Sequence, residues 1–231
     1  MEKNYLNNIN VIGFDADDTL WVNETYFREA EDRFCKLLTD YETENQIRKE
    51  IFKAQISNLE IYGYGVKGFT LSMIECAQKI SNNQLAPRIV SEILAIGKDM
   101  LTKPVVLLPE VKKTLEALQN NFRLLLITKG DLKDQERKLS DSGLTEYFHH
   151  VEILSEKNPE DYLKLLKHLS IEPINFLMVG NSLKSDVLPL YEIGSKAIHI
   201  PFHTTWAHEL VDNISTNSYL RLDNISQLVD K

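Results

Sequence analysis

Short apolar runs rich in β-branched residues recur at 11–14, 122–128, 151–154, 174–179 and 197–200, and from residue 104 onward stretches with helical periodicity separate them. A strand that is apolar on both faces has to be covered on both. A parallel sheet flanked by helices meets that demand; a half-solvated antiparallel sheet does not. The alternation therefore predicts an α/β fold, with a Rossmann-like parallel sheet as core and helices on both faces. Residues 22–103 break the rhythm. There Phe27, Ala30, Phe34 and Leu37 share one helix face, with Asn23 placed to cap that helix. Ile47, Ile51 and Ala54 suggest a second helix. Phe69, Met73, Cys76, Ala77 and Ile80 suggest a third, and Ile89, Ile93, Ile96 and Met100 a fourth. The first strand, 11–14, belongs with the later strands rather than with these helices. The chain is thus read as an α/β core at 1–21 and 104–231, interrupted by a helical insert at 22–103. The densest glycine loop, 62–68, falls inside that insert and carries Tyr62 and Tyr64.

The first strand stops abruptly at Asp15-Ala16-Asp17-Asp18-Thr19. Three carboxylates within four positions repel one another, and a structure tolerates them where a cation sits among them. Oxygen donors without His or Cys favour a hard ion such as Mg²⁺. The carboxyl end of a strand is also where open α/β sheets place their ligands. An acidic turn or a helix N-cap is the alternative for such a cluster taken alone. Later strands end in polar groups as well. Thr128-Lys129-Gly130 offers a hydroxyl and backbone N–H groups that could hold an anionic oxygen. Lys157 stands just before the helix opened by Asn158-Pro159, where a cation opposes the helix dipole and so invites another purpose. Gly180-Asn181-Ser182 follows the 174–179 strand, with Asp186 in the first turn of a helix running to about 193. Asp186 is either a helix cap or a ligand.

In this order and placement the residues resemble the motifs of the haloacid dehalogenase superfamily, whose phosphatase branch uses an aspartate nucleophile. Asp15-Ala16-Asp17-Asp18-Thr19 matches its first motif, Thr128 the second, Lys157 the third, and Gly180-Asn181-Ser182 with Asp186 the fourth. Position 181 carries Asn where the family usually has Asp. The resemblance implies that the insert is an α-helical cap able to close over the site, with the 62–68 loop as a substrate contact. It implies Asp15 as nucleophile and Asp17 as general acid and base. Mg²⁺ would be held by Asp15, Asp17, Asp186 and Asn181, and Thr128, Lys129 and Lys157 would bind the phosphoryl oxygens of a small phosphorylated metabolite. A haloacid dehalogenase is the rival within the superfamily, and Asp17 argues against it because a halide leaving group needs no acid. A catalytically reduced binding protein on the same scaffold is the rival from another class.

The remaining composition narrows the field. A net charge of −8 over 231 residues, with no basic cluster, argues against a nucleic-acid or membrane-surface binder. The N-terminus lacks the apolar stretch of a signal peptide, and no run approaches membrane-spanning length. The two cysteines, Cys35 and Cys76, sit in helical apolar patterns, as expected for a cytoplasmic protein without disulfides. His199, His203 and His208 lack the spacing of a metal site and read as structural.

Overall fold

The computed structural model describes residues 5–211 and 219–229. The chain divides into two compact units, one comprising Met1–Glu24, Val105–Lys129 and Glu136–Lys231, the other Thr25–Pro104 and Gly130–Gln135.

The first unit is built on a six-stranded, wholly parallel sheet of order β3-β2-β1-β4-β5-β6. The strands are β1 (Val11–Phe14), β2 (Arg123–Lys129), β3 (His150–Leu154), β4 (Phe176–Gly180), β5 (Lys196–His199) and β6 (Leu220–Arg221). β1 lies at the centre, pairing Val11 with Arg123 on one side and with Phe176 on the other. Every residue of β1 and β4 is buried, as two-sided coverage requires. The two covering layers are separate apolar clusters. Ile12, Phe14, Leu124, Leu126, Leu177 and Val179 face one; Val11, Leu125, Ile127, Phe176 and Met178 face the other. That split is the period of two expected of strands.

In the second unit α1 (Glu24–Leu37), α2 (Glu44–Tyr62), α3 (Val66–Ile80) and α4 (Pro87–Leu101) enclose one apolar core. Ile89, Ile93, Ile96 and Met100 supply the buried stripe of α4 at alternating steps of four and three. Truncating the fully buried Ile93 to Ala would cost about 2–5 kcal/mol. Cys35 and Cys76 are buried in this core as free thiols. The glycine loop is shorter than expected: α2 runs through Tyr62 and α3 begins at Val66, leaving 63–65 between them. The Tyr62 hydroxyl donates to Glu75 Oε1 at 2.6 Å.

Three local details add to or depart from the sequence reading. Asn23 directly precedes α1 as expected, but Asp18 also ties down the helix start, its carboxylate accepting the backbone N–H groups of Asn23 at 2.8 Å and of Glu24 at 2.9 Å. Asp18 adopts a left-handed φ of 61°, which a short polar side chain tolerates. The helix expected over about 183–193 is a single π-helical turn, Leu183–Val187, followed by α8 (Leu188–Glu192). The two run on without a gap, and Pro189 falls in the first turn of α8, where a missing N–H is tolerated. Finally, β6 was not anticipated; it is two residues long.

Candidate active site

Connections after β1, β3 and β4 at the carboxyl end of the sheet bring Asp15, Thr19, Lys157, Asn181 and Asp186 together, all within the first unit. β1 delivers Asp15, whose backbone N–H donates to Val179 O at 2.9 Å, keeping it in the sheet. Its side chain is 10% exposed. Asp15 Oδ2 accepts the Thr19 hydroxyl at 3.0 Å, and the same hydroxyl lies 3.4 Å from Asn181 Oδ1. Oδ1 accepts the Lys157 ammonium at 2.5 Å, and Lys157 donates equally to Asp186 Oδ1 at 2.7 Å. Lys157 precedes α7 (Pro159–His168), whose N-cap Asn158 accepts the Asp161 N–H. One buried cation thus bridges two buried carboxylates from opposite ends of the sequence.

The charges in this group pull against one another. Burial pushes the Asp15 carboxyl up to about 7; Lys157 works against that rise and Asp186 adds to it. Burial opposes the charge on Lys157, but Asp15 and Asp186 together overcome it, and its pKa goes up. At these distances the ionised bridge is the state that satisfies every group.

Asp186 is not the N-cap of the turn that follows β4; that position is Ser182, whose hydroxyl oxygen accepts the Ser185 N–H. Asp186 Oδ2 accepts the Ser182 N–H at 3.0 Å, closing the π turn, while Oδ1 meets Lys157. Gly180 makes this possible. A Cβ there would overlap the Asp186 carboxylate, so a larger residue has to push that side chain aside.

Asp17 points elsewhere. Its Oδ1 accepts the Trp21 indole N–H at 2.7 Å and the Lys138 ammonium at 2.6 Å, and Oδ2 accepts Lys138 at 2.8 Å. Lys138 belongs to α6 (Leu132–Ser142) and also donates to Asn23 Oδ1 at 3.3 Å. Thr128 is buried at the end of β2. Lys129, expected to face a phosphoryl group, instead donates to Ser185 Oγ and Glu209 Oε1, both at 2.9 Å. Glu209 Oε2 accepts the hydroxyls of Ser182 and Ser185. Burial works against this carboxylate, but Lys129 and the two serines outweigh it and hold its pKa down at about 2.

Sequence reasoning missed Lys138 and Glu209. Lys138 left a faint signal, because it lies between buried Gln135 and buried Leu139 on the inward face of α6. Glu209 left none. His199, His203 and His208 do not act as a group. His199 donates from Nε2 to Asn181 O at 2.9 Å, burial lowers its pKa, and Nδ1 finds no partner. His203 meets Thr204, and His208 meets Lys184.

A buried ammonium bridging two carboxylates at the strand ends of a 3-2-1-4-5-6 parallel sheet points to a class of hydrolase. The model of the haloacid dehalogenase-like hydrolases matches residues 9–194, and the chain belongs to that family. It is 24% identical over 203 residues to N-acylneuraminate-9-phosphatase of Mus musculus, covering 83% of this chain and 82% of the relative. It is 23% identical over 201 residues to glyceraldehyde 3-phosphate phosphatase of Methanopyrus kandleri, covering 83% and 84%. Among solved structures, a haloacid dehalogenase-like hydrolase from Xanthomonas campestris superposes with a TM-score of 0.83 at 36% identity, over 95% of this chain and 88% of that one. No helix among the described residues is long and apolar enough to cross a membrane.

Magnesium is the ion that the family implies. Among the described residues no three of His, Cys, Asp and Glu gather as a metal site, and the Asp17 side chain is turned to Lys138 and Trp21. Asp15 and Asp186 nevertheless converge on one ammonium, and the Asn181 amide oxygen joins Asp15 through Thr19. This oxygen-only donor set fits a hard divalent cation.

Proposed function

We propose that this hydrolase is a Mg²⁺-dependent phosphatase acting on a small phosphorylated metabolite through an aspartyl-phosphate on Asp15. The observation that carries the reading is the Lys157 bridge between Asp15 and Asp186, which holds a buried carboxylate beside a fixed cation at the strand ends. An Asp15 oxygen attacks phosphorus, the bond to the substrate's alcohol oxygen breaks, and Asp17 gives that oxygen a proton. Water then attacks the acyl phosphate, with Asp17 taking its proton, and inorganic phosphate leaves. Lys157 lies where charge builds on the phosphoryl oxygens, and Thr128 offers a hydroxyl at the neighbouring strand end. Bound magnesium, held by Asp15, Asp186, Asn181 and the backbone carbonyl of Asp17, would supply the positive charge that lets a carboxylate approach a phosphate dianion. Asp17 and the phosphatase relatives both support phosphoryl transfer over dehalogenation. The sugar-acid and triose phosphates in those relatives' names mark the substrate class to try first. The helical unit, inserted after the first motif, is read as the family's cap. Purified protein should release phosphate from p-nitrophenyl phosphate and from members of such a panel with Mg²⁺, and stop on chelation. Activity that survives exhaustive chelation, or chloride release from a haloacid in its place, overturns the reading.

A further inference from the structure

Lys138 is 8% exposed, and a lysine is not buried without a partner that satisfies its ammonium. Its partner is Asp17: the ammonium reaches both carboxylate oxygens, at 2.6 and 2.8 Å, and adds the Asn23 amide oxygen at 3.3 Å. The Trp21 indole holds Oδ1 from another direction at 2.7 Å. Trp21 is fully buried and pairs across to Leu107, and Lys138 stands on an ordered helix, so neither donor is a loosely held surface group. Two donors from different elements therefore fix the torsions of one short side chain.

A general acid works only within hydrogen-bond reach and alignment of the oxygen it protonates. Displacing such a group by about 1 Å can cost on the order of 100-fold in rate. Lys138 carries no motif signature, and nothing in the phosphoryl-transfer chemistry requires it to touch substrate.

We propose that Lys138 is the positioning residue for Asp17, gripping its carboxylate from α6 while Trp21 holds the same oxygen from the strand side. The inference rests on the reading of Asp17 as acid and base. Because Lys138 acts through Asp17, its loss should show most where the leaving group most needs a proton. An alkyl phosphate leaves as a strongly basic alkoxide; an aryl phosphate such as p-nitrophenyl phosphate does not. A side chain that merely supports the fold would affect both alike.

The experiment measures rates of aspartyl-phosphate formation and turnover for a graded series of aryl and alkyl phosphates, with Mg²⁺ at constant pH. The proteins are wild type, Lys138→Met, Lys138→Arg and Lys138→Gln, each checked by thermal melt. The expected result for Lys138→Met is a steeper dependence of formation rate on leaving group. Alkyl phosphates should lose about 10–100-fold in kcat with KM little changed, and good aryl leaving groups far less. Lys138→Arg should recover part of the loss. If Lys138→Met does not fold, Lys138→Gln, which keeps a neutral donor, should show the same steepening in milder form. In an Asp17→Asn background Lys138→Met should have no further effect on formation rate. An active wild type whose leaving-group dependence is unmoved by Lys138→Met and Lys138→Gln, or lowered equally across the series, overturns the role of Lys138 alone. A wild type that releases phosphate from no member of the series overturns the phosphatase reading and this inference with it.

Discussion

Removing Lys157 is the most informative perturbation of the fold. The side chain is 1% exposed and stands between Asp15 Oδ1 at 2.5 Å and Asp186 Oδ1 at 2.7 Å. Lys157→Met keeps much of the stem but leaves two buried carboxylates with no cation between them. Breaking a buried pair by removing one partner costs about 3–5 kcal/mol. For a chain of this size each kcal/mol moves the melting point by about 2–4 °C, so the α/β unit should melt roughly 6–20 °C lower. The loss should depend on pH, with a definite sign. Without Lys157, burial and the neighbouring Asp186 raise the Asp15 carboxyl in the folded state above the 7 or so that it has with the lysine in place. Between the unfolded value near 4 and that raised value the folded variant holds more protons than the unfolded chain, so its stability falls as pH rises. Thermal melts at pH 5 and pH 8, with a chelator present so that no metal ion replaces the ammonium, should show the larger deficit at pH 8. Lys157→Met combined with Asp186→Asn should recover most of it. A single variant melting within about 2 °C of wild type at pH 8 would refute the reasoning, as would equal deficits at both pH values.

Two further outcomes are expected. Asp15→Asn should abolish turnover, whereas Asp17→Asn should still be phosphorylated by good leaving groups and release the phosphate slowly, so mass spectrometry should find the phosphoryl group on Asp15 and on no other residue. Gly180→Ala should lower stability by about 1–3 kcal/mol and reduce kcat, because the new Cβ displaces Asp186 from its place beside Lys157; wild-type melts and kinetics would remove the close approach from the account.

What could be read from the chain alone followed from period and punctuation. β1 and β4 were legible because burial on both faces leaves a continuous apolar run, and the four insert helices because Phe34, Ile51, Met73 and Ile93 sit on regular stripes. β6 was not, because two residues cannot display a period. Asp15, Lys157 and Asp186 stood out as polar groups at element ends, and the structure brings them into one ion cluster. Asp18 belongs to the same acidic run as Asp15 and Asp17, yet its side chain accepts the N–H groups at the start of a helix. A local hydrogen bond of that kind looks the same in sequence as a ligand. Lys129 reads as a phosphate ligand from its place beside Thr128, but Glu209, 80 positions later, accepts its ammonium. Lys138 and Glu209 acquire meaning only through tertiary placement, and a helix-face lysine or a loop glutamate is ordinarily a solvated charge.

The strand order also dictates a sequence of events during synthesis. β1 is the first part of the sheet to be made, yet its two neighbours begin at Arg123 and Phe176, so it has no strand to pair with until most of the chain exists. The helical core, spanning Ala30 to Met100, is local in sequence and lacks only the 130–135 segment of its unit when Pro104 has been made. Local contacts form fast and distant strand pairings slowly. The helices therefore assemble while Val11–Phe14 remains an unpaired apolar strand, a stretch that a chaperone would have reason to hold until β2 and β4 arrive to enclose it.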